Sequence, residues 1–148
     1  MKADLQKAKD LLQAGGCTCV LCKGEETHSS TQRGVRPLLD WLEQSSDWQD
    51  YCAADKVVGR AAAFLYLLMG VQQLYAGVIS QHALRLLEQH HIECEYGRLV
   101  PAIRNRAGDG FCPMESAVRN IDDPAEAVLA IKQTLETLQE RKKREGDA

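Results

Sequence analysis

The sequence has few prolines, no long apolar run and no excess of basic residues. It contains 4 prolines among 148 residues and is 45% hydrophobic, which excludes a collagen-like, low-complexity or disordered chain. Its longest apolar stretch, residues 61–71, is much shorter than the roughly 20 residues that span a bilayer. The N-terminus also lacks the apolar core of a signal peptide. We therefore expect one domain over residues 1–148, with no membrane partner.

The charge and the cysteines exclude two further classes. With 18 Lys and Arg against 21 Asp and Glu, the net charge of −3 does not provide the broad basic field of a nucleic-acid-binding protein. Six cysteines without a secretory signal indicate reduced thiols and a cytoplasmic protein. Cys19 and Cys22 have the spacing of a metal-binding pair, but Val20-Leu21 between them is typical of a strand and no second pair follows. We therefore expect no nucleic-acid partner, no metal and no cofactor.

Hydrophobic periodicity predicts helices that alternate with strands. Helices are expected at residues 5–14, 35–42, 56–69, around 83–87, at 112–120 and from Asp123, and strands at residues 17–22, 27–30, 71–80 and 92–100. The charged end of the chain, from about residue 141, is expected to fray. A hairpin followed by alternating helices and strands indicates an α/β fold, a three-layer α/β/α arrangement in which helices cover both faces of a mixed sheet.

The predicted helix over residues 56–69 is the most informative element. After Arg60 it is apolar on every side, so the rest of the protein must enclose it. Gly59 and the alanines that follow Arg60 permit close approach to a sheet. Trp41 and Trp48 either cover one another or the edge of the core, or are exposed and need cover from outside; in the latter case they and this helix are compatible with a homodimer.

Charged residues occupy the predicted start of this helix. In open α/β sheets, ligands bind outside the carboxyl ends of the strands, where helix N-termini point. Asp55 is either an N-cap or a carboxylate available for acid–base chemistry. Lys56 lies in the first turn, with Arg60 one turn later, and both oppose the helix dipole. These cations either face an anionic ligand, pair with carboxylates or are solvated.

Two other predicted helix starts carry polar groups. Ser80 either caps the following helix or presents its hydroxyl to a phosphate or carboxylate. Cys112 is a poor cap, and a helix N-terminus favours the reactive thiolate form of cysteine, so Cys112 is a candidate nucleophile. Glu115 either complements the dipole of its own helix or acts as an acid or base.

The loop that precedes Cys112 contains a guanidinium, an amide and a carboxylate on a backbone that glycine allows to turn tightly. Arg33, farther up the chain, is either solvated or reaches the same pocket. The predicted catalytic candidates are Cys112, Glu115, Asp55 and Lys56, and the predicted ligand-binding residues are Ser80, Asn105, Arg106, Asp109 and Arg33.

Four stretches, residues 18–22, 33–39, 54–62 and 105–115, together resemble a small prokaryotic family of unknown function. The resemblance extends from about Leu11 to Ile131 and implies a cytidine-deaminase-like fold. True deaminases carry His/Cys-x-Glu at the start of the first core helix and Pro-Cys-x-x-Cys at the next. This sequence has Ala54-Asp55-Lys56 and Ser80-Gln81-His82-Ala83 at the places assigned to them. The resemblance therefore implies the fold without zinc-dependent deamination.

The sequence thus predicts a metal-free pocket for a small anionic metabolite, similar to a nucleotide or a sugar phosphate. Whether the protein catalyses a reaction is left open. The alternative is a non-catalytic ligand-binding or regulatory module. A divergent zinc-dependent deaminase is the third and least supported hypothesis.

Overall fold

A computed structural model of the chain describes residues 2–32, 34–45, 47–104 and 112–146. The strands of this part of the chain are β1 (Cys19–Lys23), β2 (Glu26–Ser30), β3 (Cys52–Val58), β4 (Gln73–Ser80) and β5 (Glu93–Val100). The helices are α1 (Lys2–Gln13), α2 (Arg36–Gln44), α3 (Arg60–Met69), α4 (Gln81–Gln89), α5 (Pro113–Val118) and α6 (Pro124–Gly146).

The strands form a mixed sheet in the order β2-β1-β3-β4-β5. Strand β1 is antiparallel to both of its neighbours, whereas β3, β4 and β5 are parallel to one another. The predicted mixed α/β architecture is therefore confirmed. Because parallel strands end at the same edge of a sheet, the helices α3 and α4 both begin at the carboxyl edge of β3 and β4.

Helices cover both faces of the sheet. Side chains of β1 alternate, so Val20 and Cys22 pack with α1 on one face, while Cys19 and Leu21 join the larger core on the other. The larger core also contains residues of α2, α3, α4 and α6. Cys19 and Cys22 therefore point to opposite faces, and this pair cannot converge on one metal ion.

Strand β3 is the main correction to the predicted elements. We expected a helix to begin at Lys56, with Asp55 as its N-cap, but Asp55 and Lys56 lie inside β3 and the helix begins at Arg60. Strand β3 pairs with β1 on one side and β4 on the other, and it ends in the β-branched pair Val57-Val58. Because these two valines are separated from the apolar part of α3 only by Gly59 and Arg60, they continue its apolar pattern, and the boundary was misplaced.

The enclosed position of α3 is confirmed, since seven of its ten residues are buried. Gly70, with a φ of 80°, ends the helix as expected. The expectation of exposed tryptophans is wrong. Trp41 and Trp48 are buried and pack against each other with ring centroids 6.4 Å apart. A homodimer thereby loses that argument and stays a prediction.

The C-terminal helix begins where it was expected. Asp123 accepts a hydrogen bond from the Glu126 N–H group at 3.3 Å, which confirms the predicted helix start. Helix α6 continues to Gly146, and its Glu, Arg and Lys residues are strong helix formers. Fraying from about residue 141 stays a prediction. Within the described residues, no helix combines the length and the apolar character that a membrane crossing requires.

Candidate functional site

A cleft of about 680 Å³ opens at the carboxyl end of β3, between the start of β1 and the helices α3 and α5. This volume is within the range of small-molecule sites. Much of its wall is apolar, formed by Val35, Val57, Ala61, Ala62, Ile103 and Met114. The polar groups are few and come from separate parts of the chain.

The cleft brings together all four residues that the sequence suggested as catalytic candidates. Asp55 and Lys56 enter it from β3, and Cys112 and Glu115 enter it from the start of α5. Ser80 does not line it. Of the remaining predicted residues, Arg33, Asn105, Arg106 and Asp109 lie outside the described residues.

Asp55 forms the floor of the cleft. Asp55 is only 7% exposed, although it borders the cavity. The Tyr66 hydroxyl donates a hydrogen bond of 2.7 Å to Oδ2 of Asp55, and the Val57 N–H group donates one of 3.3 Å to Oδ1. Burial raises the pKa of Asp55 to about 7, and these hydrogen bonds only partly oppose that effect. The carboxyl therefore changes charge near neutral pH.

The partner of Asp55, Tyr66, was not predicted from the sequence. It lies in the middle of α3 and is fully buried, and burial together with the charge of Asp55 raises its pKa well above the ordinary value. On the other side, Cys19 is paired with Asp55 in the register of β1 and β3, and its pKa is raised to about 12, mainly by burial. The only sequence signal for Tyr66 was a hydroxyl inside an otherwise apolar helix.

Glu115 caps a helix other than its own. Its Oε1 accepts a hydrogen bond of 2.6 Å from the Arg60 N–H group, and its Oε2 accepts one of 2.9 Å from the Ala61 N–H group. Gly59 makes room for this carboxylate, because a Cβ there would lie 2.1 Å from Oε1. Both oxygens are thus committed to the N-terminus of α3, where a negative charge is stabilised by the helix dipole. Glu115 is therefore a cap, and a catalytic role for it has no support.

Arg60 is also occupied. Its guanidinium donates hydrogen bonds to the carbonyl oxygens of Val118 and Ile121 at 3.2 and 2.5 Å and contacts the carboxylate of Asp122 at 3.1 Å. Of the alternatives for Arg60, pairing with a carboxylate is therefore the one that the structure shows. The side chain also fastens the end of α5 to the start of α3.

Lys56 and Arg104, two cations that line the cleft, differ from Arg60 in their contacts. Both are exposed. Within the part of the chain that the structure describes, neither side chain forms an ion pair or a hydrogen bond. Lys56 was expected in a helical first turn and is instead a strand residue. Arg104 was not predicted, although it lies two residues before Arg106, which was.

Two half-buried thiols, those of Cys17 and Cys112, also border the cleft. Cys112 is the residue before α5, as expected, but this helix has only six residues and the thiol makes no capping hydrogen bond. Among the described residues, no three His, Cys, Asp or Glu side chains are grouped as a metal site would require. The position of Cys112 is thus as predicted, whereas its role as a nucleophile stays a prediction.

Ser80 has the role of a cap. Its Oγ accepts a hydrogen bond of 3.1 Å from the Ala83 N–H group at the start of α4, and the residue is fully buried. It borders a smaller cavity of about 100 Å³, which shares Glu115 and Ile103 with the cleft. The structure therefore separates Ser80 from Lys56 and Asp55.

Comparison with known proteins gives a family but no activity. The model of a domain of unknown function, DUF1893 (TM1506), matches residues 7–135. The chain is also similar to the crystal structure of a DUF1893 family protein (TM1506) from Thermotoga maritima at 2.70 Å resolution, with a TM-score of 0.82 and 26% identity over 93% of this chain and 91% of that chain. No curated protein matches the chain. On the extent of the family match, the chain belongs to the DUF1893 family of domains of unknown function.

Proposed function

We propose that the cleft binds a small anionic metabolite, such as a nucleotide or a sugar phosphate. The observation that carries this proposal is the pair of cations, Lys56 and Arg104, that border one cavity without a partner among the described residues. A positive and a negative charge about 4 Å apart attract each other by roughly 4 kcal/mol at an effective dielectric constant of about 20. The apolar walls suit the uncharged part of such a ligand.

The two carboxyl groups of the cleft do not cancel this positive charge. Glu115 directs both oxygens at backbone N–H groups of α3. Asp55, with a pKa of about 7, is in part protonated at neutral pH. Among the described residues, the two cations therefore outweigh Glu115 and a partly protonated Asp55, and the charge near a ligand becomes more positive as Asp55 takes up a proton.

A cytidine-deaminase-like fold is part of the proposal. It is supported by the two helices that begin at the carboxyl ends of adjacent parallel strands, where that resemblance locates the ligand positions. The start of the first of these helices is Gly59-Arg60-Ala61, rather than the Ala54-Asp55-Lys56 expected from the sequence. The second begins at Ser80-Gln81-His82. Neither contains the zinc-ligand pattern of true deaminases, so zinc-dependent deamination is the least supported hypothesis.

A non-catalytic binding module is the second candidate. It is favoured by the position of Glu115, because the most obvious acid or base of the cleft is engaged in capping α3. A cytoplasmic location fits either candidate, since all six cysteines are free thiols.

Calorimetric titration with inorganic pyrophosphate and with glycerol phosphate tests the proposal. We expect the wild-type protein to bind at least one of them, and Lys56→Ala and Arg104→Ala each to weaken that binding about tenfold, because each removes a charge-assisted contact. Arg98→Ala is the matched control. Arg98 is an exposed cation of β5 that does not border the cleft, and its removal should leave the affinity unchanged.

Either of two results would reject the proposal. One is the absence of binding to both anions. The other is an equal loss of affinity in Arg98→Ala and in the two cleft variants, which would indicate a general effect of net charge rather than a site.

A further inference from the structure

We propose that the ligand carries a hydrogen-bond donor, an N–H or O–H group, that binds the carboxylate of Asp55 while the anionic group of the same ligand contacts Lys56 or Arg104. This inference rests on the proposed function, because it concerns the same cleft. It specifies the class of ligand as a compound with an anionic group, an apolar body and a donor group that reaches the floor of the cavity.

The first argument is the acceptor capacity that Asp55 has to spare. A carboxylate can accept about four hydrogen bonds. Within the described residues, Asp55 receives one short bond from the Tyr66 hydroxyl and a longer one of 3.3 Å from the Val57 N–H group, and the Lys56 N–H group is a third, weaker donor to it. Leaving a buried charge short of donors is costly. A donor supplied by a ligand would form a hydrogen bond that the carboxylate of Asp55 can still accept.

The second argument is that no other described side chain can take this place. Among the described elements, α3 presents the Tyr66 hydroxyl to Asp55 and β1 presents the Cys19 thiol, and its register partner on β4 is Ala76. The remaining charged or ionisable residues of the cleft, none of whose side chains is bonded to Asp55 in the described part of the chain, are Lys56, Arg104, Glu115, Cys17 and Cys112. No cation among the described residues is therefore paired with this carboxyl where it borders the cavity.

The third argument is the distribution of polarity. Asp55 is almost completely buried, whereas Lys56 and Arg104 are exposed. Apolar side chains, including Ala61, Ala62 and Met114, form much of the remaining wall. A ligand that fills the cavity thus meets cations near its mouth, an apolar wall, and an acceptor at the floor. A small anion alone would use only the first of these.

A matched set of sulfonates tests the inference, because sulfonate groups do not titrate near neutral pH. The probes are p-aminobenzenesulfonate, p-(hydroxymethyl)benzenesulfonate and p-toluenesulfonate, which present an N–H donor, an O–H donor and a methyl group at the same position of the ring. Affinities are measured from about pH 6 to about pH 8, on either side of the Asp55 pKa of about 7. We expect a donor-bearing probe to bind more tightly than p-toluenesulfonate, by a factor that grows about fivefold to tenfold over this range as Asp55 ionises.

Two variants show whether Asp55 is responsible. Asp55→Asn has nearly the same shape and retains an acceptor for Tyr66, but it does not titrate, so the preference for the donor should become independent of pH. Tyr66→Phe removes the bond that favours the ionised carboxyl, so the rise in preference should move to higher pH. A purely structural role of either residue would not change the pH at which the preference appears.

The outcomes separate this inference from the proposed function. Binding of all three probes with equal affinity, or with a pH-independent preference in the wild type, rejects the donor and leaves the anion site, provided that Lys56→Ala weakens binding. Binding of none of the probes rejects both. A pH-dependent preference that persists in Asp55→Asn rejects Asp55 as the acceptor. The identity of the better donor probe decides between an N–H and an O–H group.

Discussion

Two carboxyl groups of the described residues border the cleft, and the protein holds them in opposite ways. Both oxygens of Glu115 accept short bonds from N–H groups at the start of α3, and a glycine keeps the space they occupy. Asp55 has one short bond, from a phenol, and otherwise receives weaker bonds from the backbone N–H groups of Val57 and Lys56. The cations differ in the same way. Arg60 is bonded to carbonyl groups of the chain, whereas Lys56 and Arg104 have no partner among the described residues.

The difference separates groups that assemble the cleft from groups that are available to a ligand. Glu115 and Arg60 both connect α5 to α3. Glu115 extends from α5 and binds the start of α3, and Arg60 extends from the start of α3 and binds the carbonyl groups at and just beyond the end of α5. Their hydrogen-bonding capacity is used by the fold itself. Asp55, Lys56 and Arg104 keep unused capacity, and that is what recognition of a ligand requires.

The largest expected effect concerns the pH dependence of stability that arises from Asp55. Its pKa is raised from 3.8 to about 7 in the folded protein, so the folded state holds a proton that the unfolded state has lost between these values. The stabilisation is complete below about pH 4 and is lost as the pH rises to about 7. Chemical denaturation of the wild type and Asp55→Asn should therefore show unfolding free energies that diverge by roughly 3 kcal/mol between these pH values.

The other titrating groups are common to both proteins, so the difference between the two curves isolates Asp55. If the two curves were parallel, the pKa of Asp55 in the folded protein would equal its ordinary value. The carboxyl would then be as well satisfied as Glu115, and the contrast between the two carboxyl groups would disappear.

The next effect in size is expected from Gly59→Ala. The added Cβ would lie 2.1 Å from Oε1 of Glu115, so the carboxylate must move and leave the Arg60 and Ala61 N–H groups without their acceptor. The φ of −98° at Gly59 is open to alanine, so backbone strain does not contribute. We expect a loss of about 2–3 kcal/mol in unfolding free energy, measured by chemical denaturation.

A double-mutant cycle identifies the cause. In the background of Glu115→Ala the carboxylate is already absent, so the additional change Gly59→Ala should cost less than about 0.5 kcal/mol. Equal costs in both backgrounds would show that the glycine serves another purpose and that Glu115 is not held as described.

Much of this fold could be predicted from the sequence because its signals are local. The glycines after α1, the helix start at Asp123 and the cap at Ser80 each depend on residues within a few positions of one another. The four catalytic candidates also border one cleft, Asp55 and Lys56 from β3 and Cys112 and Glu115 from the start of α5. The rule that ligands bind at the carboxyl edge of parallel strands was sufficient to collect them, although the helix start at Lys56 was misplaced.

The roles of these residues could not be predicted in the same way, because they depend on contacts between distant segments. Glu115 is 55 residues from the N–H group of Arg60, which it caps, and no spacing in the sequence connects them. Strand β3 was missed because its last residues continue the apolar pattern of α3, and this error made Asp55 appear to be a cap. In the structure it is a strand residue whose phenol partner lies 11 positions later.

The smallest expected effects come from the cations and sharpen the comparison most directly. Arg60→Met keeps most of the side-chain stem over Phe64 but removes the bonds to the carbonyl groups of Val118 and Ile121, and we expect a loss of about 1–2 kcal/mol in unfolding free energy. Lys56→Ala and Arg104→Ala remove charges that make no described contact, so each should change stability by less than about 0.5 kcal/mol. Thermal and chemical denaturation of the three variants give the values.

A cost of more than about 1 kcal/mol for Lys56→Ala or Arg104→Ala would contradict the contrast, because that cation would then be part of the framework. Only cations that the fold does not need are free to serve a ligand.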